Sequence, residues 1–395
     1  MKKLIYVFIF WIAALFLLLL MIPISKEELP PEPSVIKYLD LIDLIEQRNG
    51  TIRVVLKTTD FEDVFHEKVE LFYDNQDVVF DMNCQESLYH IEPVERGITV
   101  KSIQRTQGNP TYLGTLDIYK TEEGFVLVNE VSLEEYLCSV VPSEMPASYP
   151  AEALKAQAIG ARTYAALFYS RPGYPEYDAH VDDSVMYQVY NNIATSPEAI
   201  GAVEATAGLI LCDSEKQLIP TYYYSTGRTE FEREEPWYAW EYSVEALDIS
   251  VLSERLKAVG TDVQPFSSVH TLEIVSRGEE NVAAELLVGT DTGEYHVYSE
   301  YNIRTVLCNG QADAIKQDGT TYFCKTLIPS GFIELTCMEG EQGILGYHIT
   351  GGGFGHGNGM SQNGAKHMAA NGWTAQEILE FYYEGCRIDS MYQGG

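Results

Sequence analysis

An alanine-rich stretch opened by a proline constrains this chain more than any other feature. Seven alanines lie between Ala151 and Ala166. Pro150 suits a first helical position, and Glu152 suits the positive end of the helix dipole. Small side chains let neighbouring elements approach closely, so we predict a helix packed inside the fold. A stripe at 3.6-residue spacing should face the core, formed by Leu154, Ala158, Ala161 and Ala165.

Two cations lie on another face of this predicted helix. Lys155 and Arg162 are seven residues apart, with Ile159 between them. Seven residues are two helical turns, so both side chains project from one side. We expect them to bind polar groups of a substrate or to brace a cleft from a distance.

A single acid, Glu144, precedes the helix and lies between Pro142 and Pro146. Proline fixes φ and restricts the residue before it, which predicts an extended or turned backbone here. A capping box at Ser132–Glu135 should start a short helix that ends at Leu137. Lone glutamates are usually solvated, but Glu144 should extend from the end of an ordered element, where a catalytic group can be held rigidly.

A glycine-rich segment lies near the end of the chain. Six glycines between Gly351 and Gly359 permit backbone turns that other residues resist, and Ser361 suits the cap of a following helix. His356 lies among these glycines. Two roles stay open for it: contact with a substrate or with Glu144, or locking of the loop by hydrogen bonds. In either case we expect the loop and Glu144 to face one groove.

These two segments carry a family resemblance. Glu144-Met145-Pro146, followed by Ala153-Leu154-Lys155-Ala156-Gln157-Ala158 and Ala161-Arg162-Thr163-Tyr164-Ala165, resembles the stage II sporulation protein D family, which includes amidase-modifier proteins. Gly355-His356-Gly357 and Ser361-Gln362-Asn363-Gly364-Ala365 are similar to its second motif. Two long motifs in the right order make a specific signal. The resemblance covers roughly residues 110 to 389.

The resemblance implies a peptidoglycan lytic transglycosylase that cleaves the MurNAc–GlcNAc bond and leaves a 1,6-anhydro end. Glu144 would be its only acid and base, with a pKa raised by partial burial. The resemblance also suggests a polar, glycine-containing turn at Ser225-Thr226-Gly227 that offers backbone N–H groups to a ligand, with Arg228 in the place of a family glycine. The implied substrate-binding residues are Lys155, Arg162, Gln188, Tyr190, Ser225, Thr226, Thr229, His356, Gly357, Ser361 and Gln362.

Two other functions stay open. One is a non-catalytic module that binds the cell wall and recruits or stimulates an amidase. The other is a hydrolase that uses water and two carboxylates, with Asp182 or Asp183 as the second acid. The partners we expect are peptidoglycan glycan strands and a cell-wall amidase.

Charge and ligand types exclude other classes. The net charge of −32 argues against nucleic acid, because phosphate binding needs a basic face. Family members that bind zinc carry a His-Cys pair where this chain has Met186 and Tyr187, with His180 nearby. Structural zinc wants four nitrogen or sulfur ligands, so we predict no metal and no cofactor, with packing by Met186 and Tyr187 in its place. Seven scattered cysteines leave at least one thiol unpaired.

Aromatic side chains cluster at Trp237, Tyr238, Trp240 and Tyr242. Such rings can stack on the apolar faces of sugars, but a place in the core or at a lobe interface is the more common role, and we favour it here.

The predicted organisation begins with a transmembrane anchor over residues 1–25, since Lys2 and Lys3 precede about 20 apolar residues. A cleaved signal peptide is the alternative, but the apolar run is long for one and no convincing cleavage site follows Leu20, so we favour the anchor. A single-pass membrane protein with most of its chain outside the cytoplasm is expected. A stalk should follow, then a short helix with the stripe Val35, Leu39, Ile42 and Ile45, stopped by Asn49-Gly50 (together 26–50). A β-rich accessory lobe (51–110) and a catalytic domain (111–389) come next. In the catalytic domain, Thr115–Lys120 and Phe125–Asn129 predict a hairpin, and Ser196 and Thr374 suit helix caps. The fold class is α+β, with β-rich lobes packed around a small helical core and one substrate groove.

Overall fold

A computed structural model describes residues 36–278 and 281–391. The predicted anchor and most of the predicted stalk lie outside the described residues. Within those two ranges, no helix is long and apolar enough to span a bilayer.

The described residues form eight α-helices and twenty-one strands. The helices are α1 (Tyr38–Gln47), α2 (Leu133–Glu144), α3 (Ala151–Leu167), α4 (Pro197–Ala205), α5 (Ile249–Ala258), α6 (Glu300–Val306), α7 (Gln362–Ala370) and α8 (Ala375–Tyr382). The strands of the first half are β1 (Thr51–Leu56), β2 (Val69–Tyr73), β3 (Gln76–Phe80), β4 (Leu88–Ile91), β5 (Ile98–Val100), β6 (Thr111–Tyr112), β7 (Thr115–Lys120), β8 (Phe125–Ser132), β9 (Val181–Asp182) and β10 (Leu209–Cys212). Those of the second half are β11 (Tyr223–Tyr224), β12 (Trp240–Val244), β13 (Val269–Arg277), β14 (Ala283–Thr290), β15 (Glu294–Tyr298), β16 (Asp313–Lys316), β17 (Thr321–Phe323), β18 (Phe332–Gly340), β19 (Gly343–Gly352), β20 (Met360–Ser361) and β21 (Arg387–Ser390). The predicted α+β class is confirmed.

Helix α1 buries part of the stripe that its sequence suggested. Ile42 and Ile45 are buried together with Leu41, whereas Leu39 is 66% exposed. The apolar face is therefore rotated toward Leu41, and the prediction is wrong for Leu39. The predicted stop at Asn49 is correct, since Asn49 and Gly50 both take positive φ just after the helix.

The first half of the chain is organised on a five-stranded sheet with the order β4-β7-β8-β1-β9. Strands β7 and β8 form the predicted hairpin, and β1 pairs antiparallel with β8 and parallel with β9. The domain boundaries suggested at residues 50 and 110 stay predictions, and this sheet takes strands from both sides of residue 110. A second, four-stranded sheet (β3-β2-β5-β6) adjoins it.

Helix α3 lies in the middle of the core, as its alanines predicted. The four residues of the expected core stripe are all buried. Ile159 and Arg162, which the pattern placed on another face, are buried as well. Both residues are buried because almost the whole circumference of α3 is covered. The elements that pack on it are α2, α4, β10, α7 and α8. Alanine side chains leave room for this close approach.

Helix α2 runs seven residues beyond its predicted end at Leu137 and includes Pro142. Proline lacks a backbone N–H and disfavours a helix interior, which is why the sequence predicted an extended backbone here. Val140, Val141 and Pro142 are all buried, and tertiary packing therefore carries the helix to Glu144. The Ser132 cap was predicted correctly, because its hydroxyl accepts a hydrogen bond from Glu135 N.

The second half of the chain has its own apolar core between a five-stranded sheet (β17-β16-β12-β19-β18) and a three-stranded one (β13-β14-β15). Trp240 and Tyr242 are buried in it, as favoured for that aromatic segment. Strands β11 and β20 pair in parallel and tie this half to α7. All seven cysteines are free thiols, and Cys212, Cys308, Cys324 and Cys386 are buried.

Candidate active site

Glu144 is the last residue of α2, so it does extend from the end of an ordered element. Its neighbours Val141 and Met145 are buried, while the residue itself is partly exposed. The helix end therefore fixes the position of the carboxylate.

Two groups contact the Glu144 carboxylate. The backbone N–H of Val189 donates to Oε1 at 2.5 Å. The Tyr223 hydroxyl, at the start of β11, also hydrogen-bonds the carboxylate. Both contacts come from elements far away in sequence, so the site forms only in the folded chain.

The pKa of Glu144 is raised from 4.5 to about 7. Burial is the main cause, because a low-dielectric surrounding disfavours the charged form. The hydrogen bonds from Val189 and Tyr223 act in the opposite direction and are outweighed. The predicted rise is confirmed, and the group is divided between acid and base near neutral pH, as a general acid–base catalyst requires.

Tyr223 is oriented by a chain of buried hydrogen bonds. Gln188 Nε2 donates to the Tyr223 hydroxyl at 3.0 Å and to Ala161 O at 3.1 Å. Gln188 Oε1 accepts from the Tyr136 hydroxyl at 3.2 Å. Because Gln188 donates to the Tyr223 oxygen, the Tyr223 proton is directed to Glu144. Gln188 was predicted to bind substrate; it is fully buried and instead orients the side chain that touches the acid.

His356 reaches the same place through the backbone. Its Nε2 lies 3.1 Å from the carbonyl oxygen of Tyr223, and its Nδ1 accepts from Asn358 N at 3.1 Å. With Nδ1 accepting, Nε2 carries the proton and donates to the carbonyl. Burial lowers the pKa of His356 to about 4, so the ring is neutral. Of the two roles left open, loop locking matches these contacts, since both nitrogens are used by the backbone.

The glycine loop and the Ser225 turn are joined to each other. Thr226 N donates to Phe354 O at 3.1 Å, and Phe354 N donates to Thr226 O at 2.8 Å. Gly227 N donates to Glu232 Oε1 and to Ser361 Oγ. The expectation that this turn offers its N–H groups to a ligand is therefore wrong for Thr226 and Gly227. Ser225 is half-buried beside them.

Arg162 does not face a substrate. Its side chain is fully buried, with Nε and Nη2 donating to the Glu134 carboxylate at 2.9 and 2.7 Å. Nη1 donates to Leu209 O at 3.1 Å. The prediction of substrate binding is wrong for Arg162, which joins α2, α3 and β10. Lys155 is partly exposed and pairs with Glu152 at 2.7 Å; neither cation is among the causes of the Glu144 pKa shift.

Several other predicted binding residues have structural partners. Tyr190 is buried and donates to Asn129 Oδ1 at 2.9 Å. Ser361 is buried and caps α7. Thr229 forms a capping box with Glu232. Tyr190, Thr226, Gly357, Ser361 and Gln362 are buried and Thr229 is half-buried, and a ligand role for them stays a prediction.

The two acids suggested for a water-using hydrolase are also occupied. Asp183 is fully buried and paired with Arg105 at 2.7 Å, and it accepts from Lys57 N at 2.9 Å. Asp182 is buried and accepts from the Tyr174 and Ser184 hydroxyls at 2.6 and 2.7 Å. Both carboxylates are buried, which keeps them away from a substrate and its attacking water.

Comparison with known proteins identifies the family. Residues 121–212 match the family model described as "Stage II sporulation protein", and residues 214–359 match a domain of unknown function, DUF8618. An uncharacterized protein of Brachyspira hyodysenteriae is 30% identical over 293 residues, which are 70% of this chain and 72% of that protein. Stage II sporulation protein D of Bacillus subtilis is 28% identical over 292 residues, 69% of this chain and 78% of that protein.

The chain belongs to the stage II sporulation protein D family. The amidase enhancer of Bacillus subtilis is a further relative, 27% identical over 293 residues, which are 64% of this chain and 40% of the enhancer. The resemblance read from the two motifs is thereby confirmed.

The loop where zinc-binding members carry a His-Cys pair is held by packing in this chain. The Tyr187 ring lies 5.1 Å from Phe168 and 6.2 Å from Tyr174, between ring centroids. His180 is fully buried, and its Nδ1 accepts from Arg53 N at 2.9 Å. Packing by Tyr187 was predicted correctly. The expectation that no metal or cofactor is bound stays a prediction.

Sequence reasoning missed Tyr223, which touches the acid directly. It lies in the run Tyr222-Tyr223-Tyr224. In a strand, successive side chains alternate between faces, so only one register directs the middle tyrosine toward Glu144. The pairing of β11 with β20, which sets this register, could not be read from the sequence.

Proposed function

We propose that this protein is a peptidoglycan lytic transglycosylase in which Glu144 is the only acid and base. The observation that carries the proposal is a carboxylate at a helix end, held by Val189 N–H, with its pKa raised to about 7 by burial. Such a group can give a proton and take one back at neutral pH.

The reaction needs one carboxyl group because the substrate supplies its own nucleophile. Protonated Glu144 gives its proton to the oxygen of the MurNAc–GlcNAc bond, and the bond from that oxygen to C1 breaks. The 6-hydroxyl oxygen of the same MurNAc forms a new bond to C1. Its proton passes to the Glu144 carboxylate, which regenerates the acid. No water is consumed, and the products are a 1,6-anhydro end and a free GlcNAc hydroxyl.

The contacts around Glu144 suit both halves of this cycle. Val189 N–H and the Tyr223 hydroxyl stabilise the carboxylate formed after the first proton transfer. Burial favours the protonated form that starts the cycle. The two effects together keep the pKa close to neutral.

A two-carboxylate mechanism has less support. Glycosidases of that type place a second free carboxylate across the scissile bond. Asp182 and Asp183, the acids suggested for this role, are both buried and hydrogen-bonded to protein groups.

The wider setting follows from the family. We propose that the chain acts on the cell wall in sporulation, on glycan strands whose stem peptides a partner amidase has removed. An anchor within residues 1–25 would hold it at the outer face of the cell membrane. Similarity to the stage II sporulation proteins D and to the amidase enhancer supports this setting.

The test is product analysis with the full-length chain in detergent micelles. Purified glycan strands, with and without stem peptides, are incubated with the native protein and with Glu144→Gln, and products are identified by mass spectrometry. We expect 1,6-anhydro ends from the native protein, faster from strands without peptides, and a loss of about 10² to 10⁴-fold in Glu144→Gln. The matched control is Glu241→Gln, an exposed glutamate on β12. Reducing ends instead of anhydro ends would contradict the proposal.

A second candidate is a non-catalytic module that stimulates an amidase, which the similarity to the amidase enhancer favours. In that case native protein and Glu144→Gln would bind glycan equally, release no product, and increase the rate of a purified cell-wall amidase to the same extent. A transglycosylase would lose product formation in the variant.

A further inference from the structure

Three aromatic rings from separate segments meet beside the glycine loop. The Trp237 ring lies 4.6 Å from Phe354 and 5.4 Å from Tyr322, and Tyr322 lies 5.5 Å from Phe354, between centroids. Tyr322 stands at 77° to Trp237 and at 87° to Phe354. The three rings therefore form a corner rather than a closed stack. We call this cluster the aromatic corner.

The aromatic corner is accessible. Tyr322 is 42% exposed, and Trp237 and Phe354 are each partly exposed. This sets it apart from Trp240 and Tyr242, which belong to the core.

Backbone hydrogen bonds hold the three segments together. Gly353 N donates to Trp237 O at 2.7 Å, which fixes the glycine loop against the Trp237 turn. Gln317, in the turn between β16 and β17, donates from its backbone N to Ala239 O at 2.9 Å and from Nε2 to Glu235 O at 2.6 Å. The rings are thus positioned before any ligand arrives, which lowers the entropic cost of binding.

The aromatic corner is continuous with the candidate active site. Phe354 pairs with Thr226 through two backbone hydrogen bonds, and Thr226 follows β11. Two residues beyond Phe354, His356 binds the carbonyl of Tyr223, whose hydroxyl reaches Glu144. Hydrogen bonds between β11 and the glycine loop therefore connect Glu144 with the three rings.

A cation borders the aromatic corner. Lys316 Nζ lies 4.7 Å from the centroid of the Trp237 ring. The chain as a whole carries a net charge of −32. A local cation in such a chain favours an anionic group on the ligand, whereas most of the surface repels one.

We propose that the aromatic corner is a sugar subsite that binds an N-acetylhexosamine ring of the glycan strand away from the scissile bond. The apolar C–H face of the pyranose packs on Tyr322 and its neighbours, since aromatic faces are electron-rich and suit weakly positive C–H groups. Lys316 meets the lactyl carboxylate of a MurNAc residue, a group that is free only where the stem peptide has been removed. The inference deepens the proposed function and rests on it for the identity of the ligand.

Strand geometry supplies a matched control. Tyr322 and Phe323 are neighbours on β17, so their side chains point to opposite faces of the sheet. Phe323 is 54% exposed and lies on the face away from the aromatic corner. Tyr322→Ala and Phe323→Ala therefore remove similar exposed rings from one strand, and only the first should affect sugar binding.

The test measures binding by calorimetry, with the full-length chain carrying Glu144→Gln so that the sugar is not cleaved. The two probes are a peptide-free tetrasaccharide of alternating GlcNAc and MurNAc, and chitotetraose, which has no carboxylate. We expect Tyr322→Ala to raise the Kd of both by about tenfold. Lys316→Gln should raise the Kd of the first alone, by about threefold. Phe323→Ala should change neither.

The outcomes separate this inference from the proposed function. If Tyr322→Ala keeps the native circular dichroism spectrum and unchanged Kd values, the aromatic corner is not a sugar subsite. This conclusion holds even where the native chain produces anhydro ends. Sugar binding that depends on Tyr322 in a chain that produces no anhydro ends would uphold the subsite and contradict the transglycosylase. Equal losses in Tyr322→Ala and Phe323→Ala would overturn the subsite, because the effect would then be general.

Discussion

The hydroxyl of Tyr223 hydrogen-bonds the carboxylate of Glu144. The backbone carbonyl of the same tyrosine accepts from His356 Nε2 at 3.1 Å. One residue of β11 therefore contacts the acid through its side chain and the glycine loop through its main chain. That Glu144 and the loop face one groove stays a prediction.

Tyr223→Phe should raise the pKa of Glu144 further above 7. The hydroxyl stabilises the carboxylate form, so its loss favours the protonated form. In the activity assay, the fall in rate on the alkaline side should move to higher pH, by about 0.5 to 1 unit. Tyr298→Phe, which alters an exposed ring on β15, is the control and should leave the profile in place. A shift to lower pH would contradict the assigned hydrogen bond.

Glu144→Gln should stabilise the folded protein at alkaline pH. The folded pKa of about 7 lies above the ordinary glutamate pKa of 4.5, so the folded state binds more protons than the unfolded state between these values. The native protein therefore loses stability as pH rises from about 4.5 to 7. At pH 8 the variant should gain on the order of 2 kcal/mol in the free energy of unfolding, and almost nothing at pH 4. Urea unfolding at both pH values measures this.

His356 should contribute to acid sensitivity. Its folded pKa of about 4 lies below the ordinary histidine pKa of 6.5, so the unfolded state binds more protons between these values. The stability it contributes is present above pH 6.5 and is lost as pH falls toward 4. Between pH 7 and pH 5 the native chain should therefore lose about 1 to 2 kcal/mol more than His356→Gln.

The control for this prediction is His296→Gln, which changes an exposed ring on β15. It should lose as much stability on acidification as the native chain. His180, another buried histidine with a lowered pKa, is present in all three proteins and cancels in the comparison. Equal acid sensitivity of native protein and His356→Gln would count against the neutral, loop-locking ring.

Arg162→Met should lower stability and spare substrate binding. Removing a fully buried cation from its pair with Glu134 costs about 3 to 5 kcal/mol. Lys155→Met, which removes a partly exposed pair on the same helix, should cost about 0 to 1 kcal/mol. Urea unfolding measures both, and KM for glycan should stay within about twofold of native in each folded variant. A large rise in KM for Arg162→Met with native stability would restore its predicted role in substrate binding.

The sequence predicted elements whose signals are local. Helices start at the caps Ser132, Ser196, Ser361 and Thr374. In each, the side-chain oxygen accepts a hydrogen bond from the backbone N–H three residues later, which is a local signal for a helix start. The β7–β8 hairpin was predicted for the same reason. The end of α2 was missed, since burial of Val140 and Val141 outweighs the local effect of Pro142.

The site was predicted only at its centre. Glu144 was identified from its motif and from its expected place at the end of an ordered element. The rise of its pKa was predicted from partial burial. Its partners Val189 and Tyr223 depend on how distant strands and loops meet, which local patterns do not specify. Arg162 was wrongly predicted to bind substrate. A cation on a helix usually faces solvent, and the elements that cover α3 could not be identified from the sequence.

The pairing of β11 with β20 has a consequence for how the protein is made. Tyr223 lies opposite Met360, 137 residues later in the chain. A ribosome adds residues from the amino end, so the acid is synthesised long before the strand that aligns Tyr223 beside it. A growing or truncated polypeptide that stops short of residue 360 lacks this alignment, so Tyr223 takes its place beside Glu144 only late in synthesis.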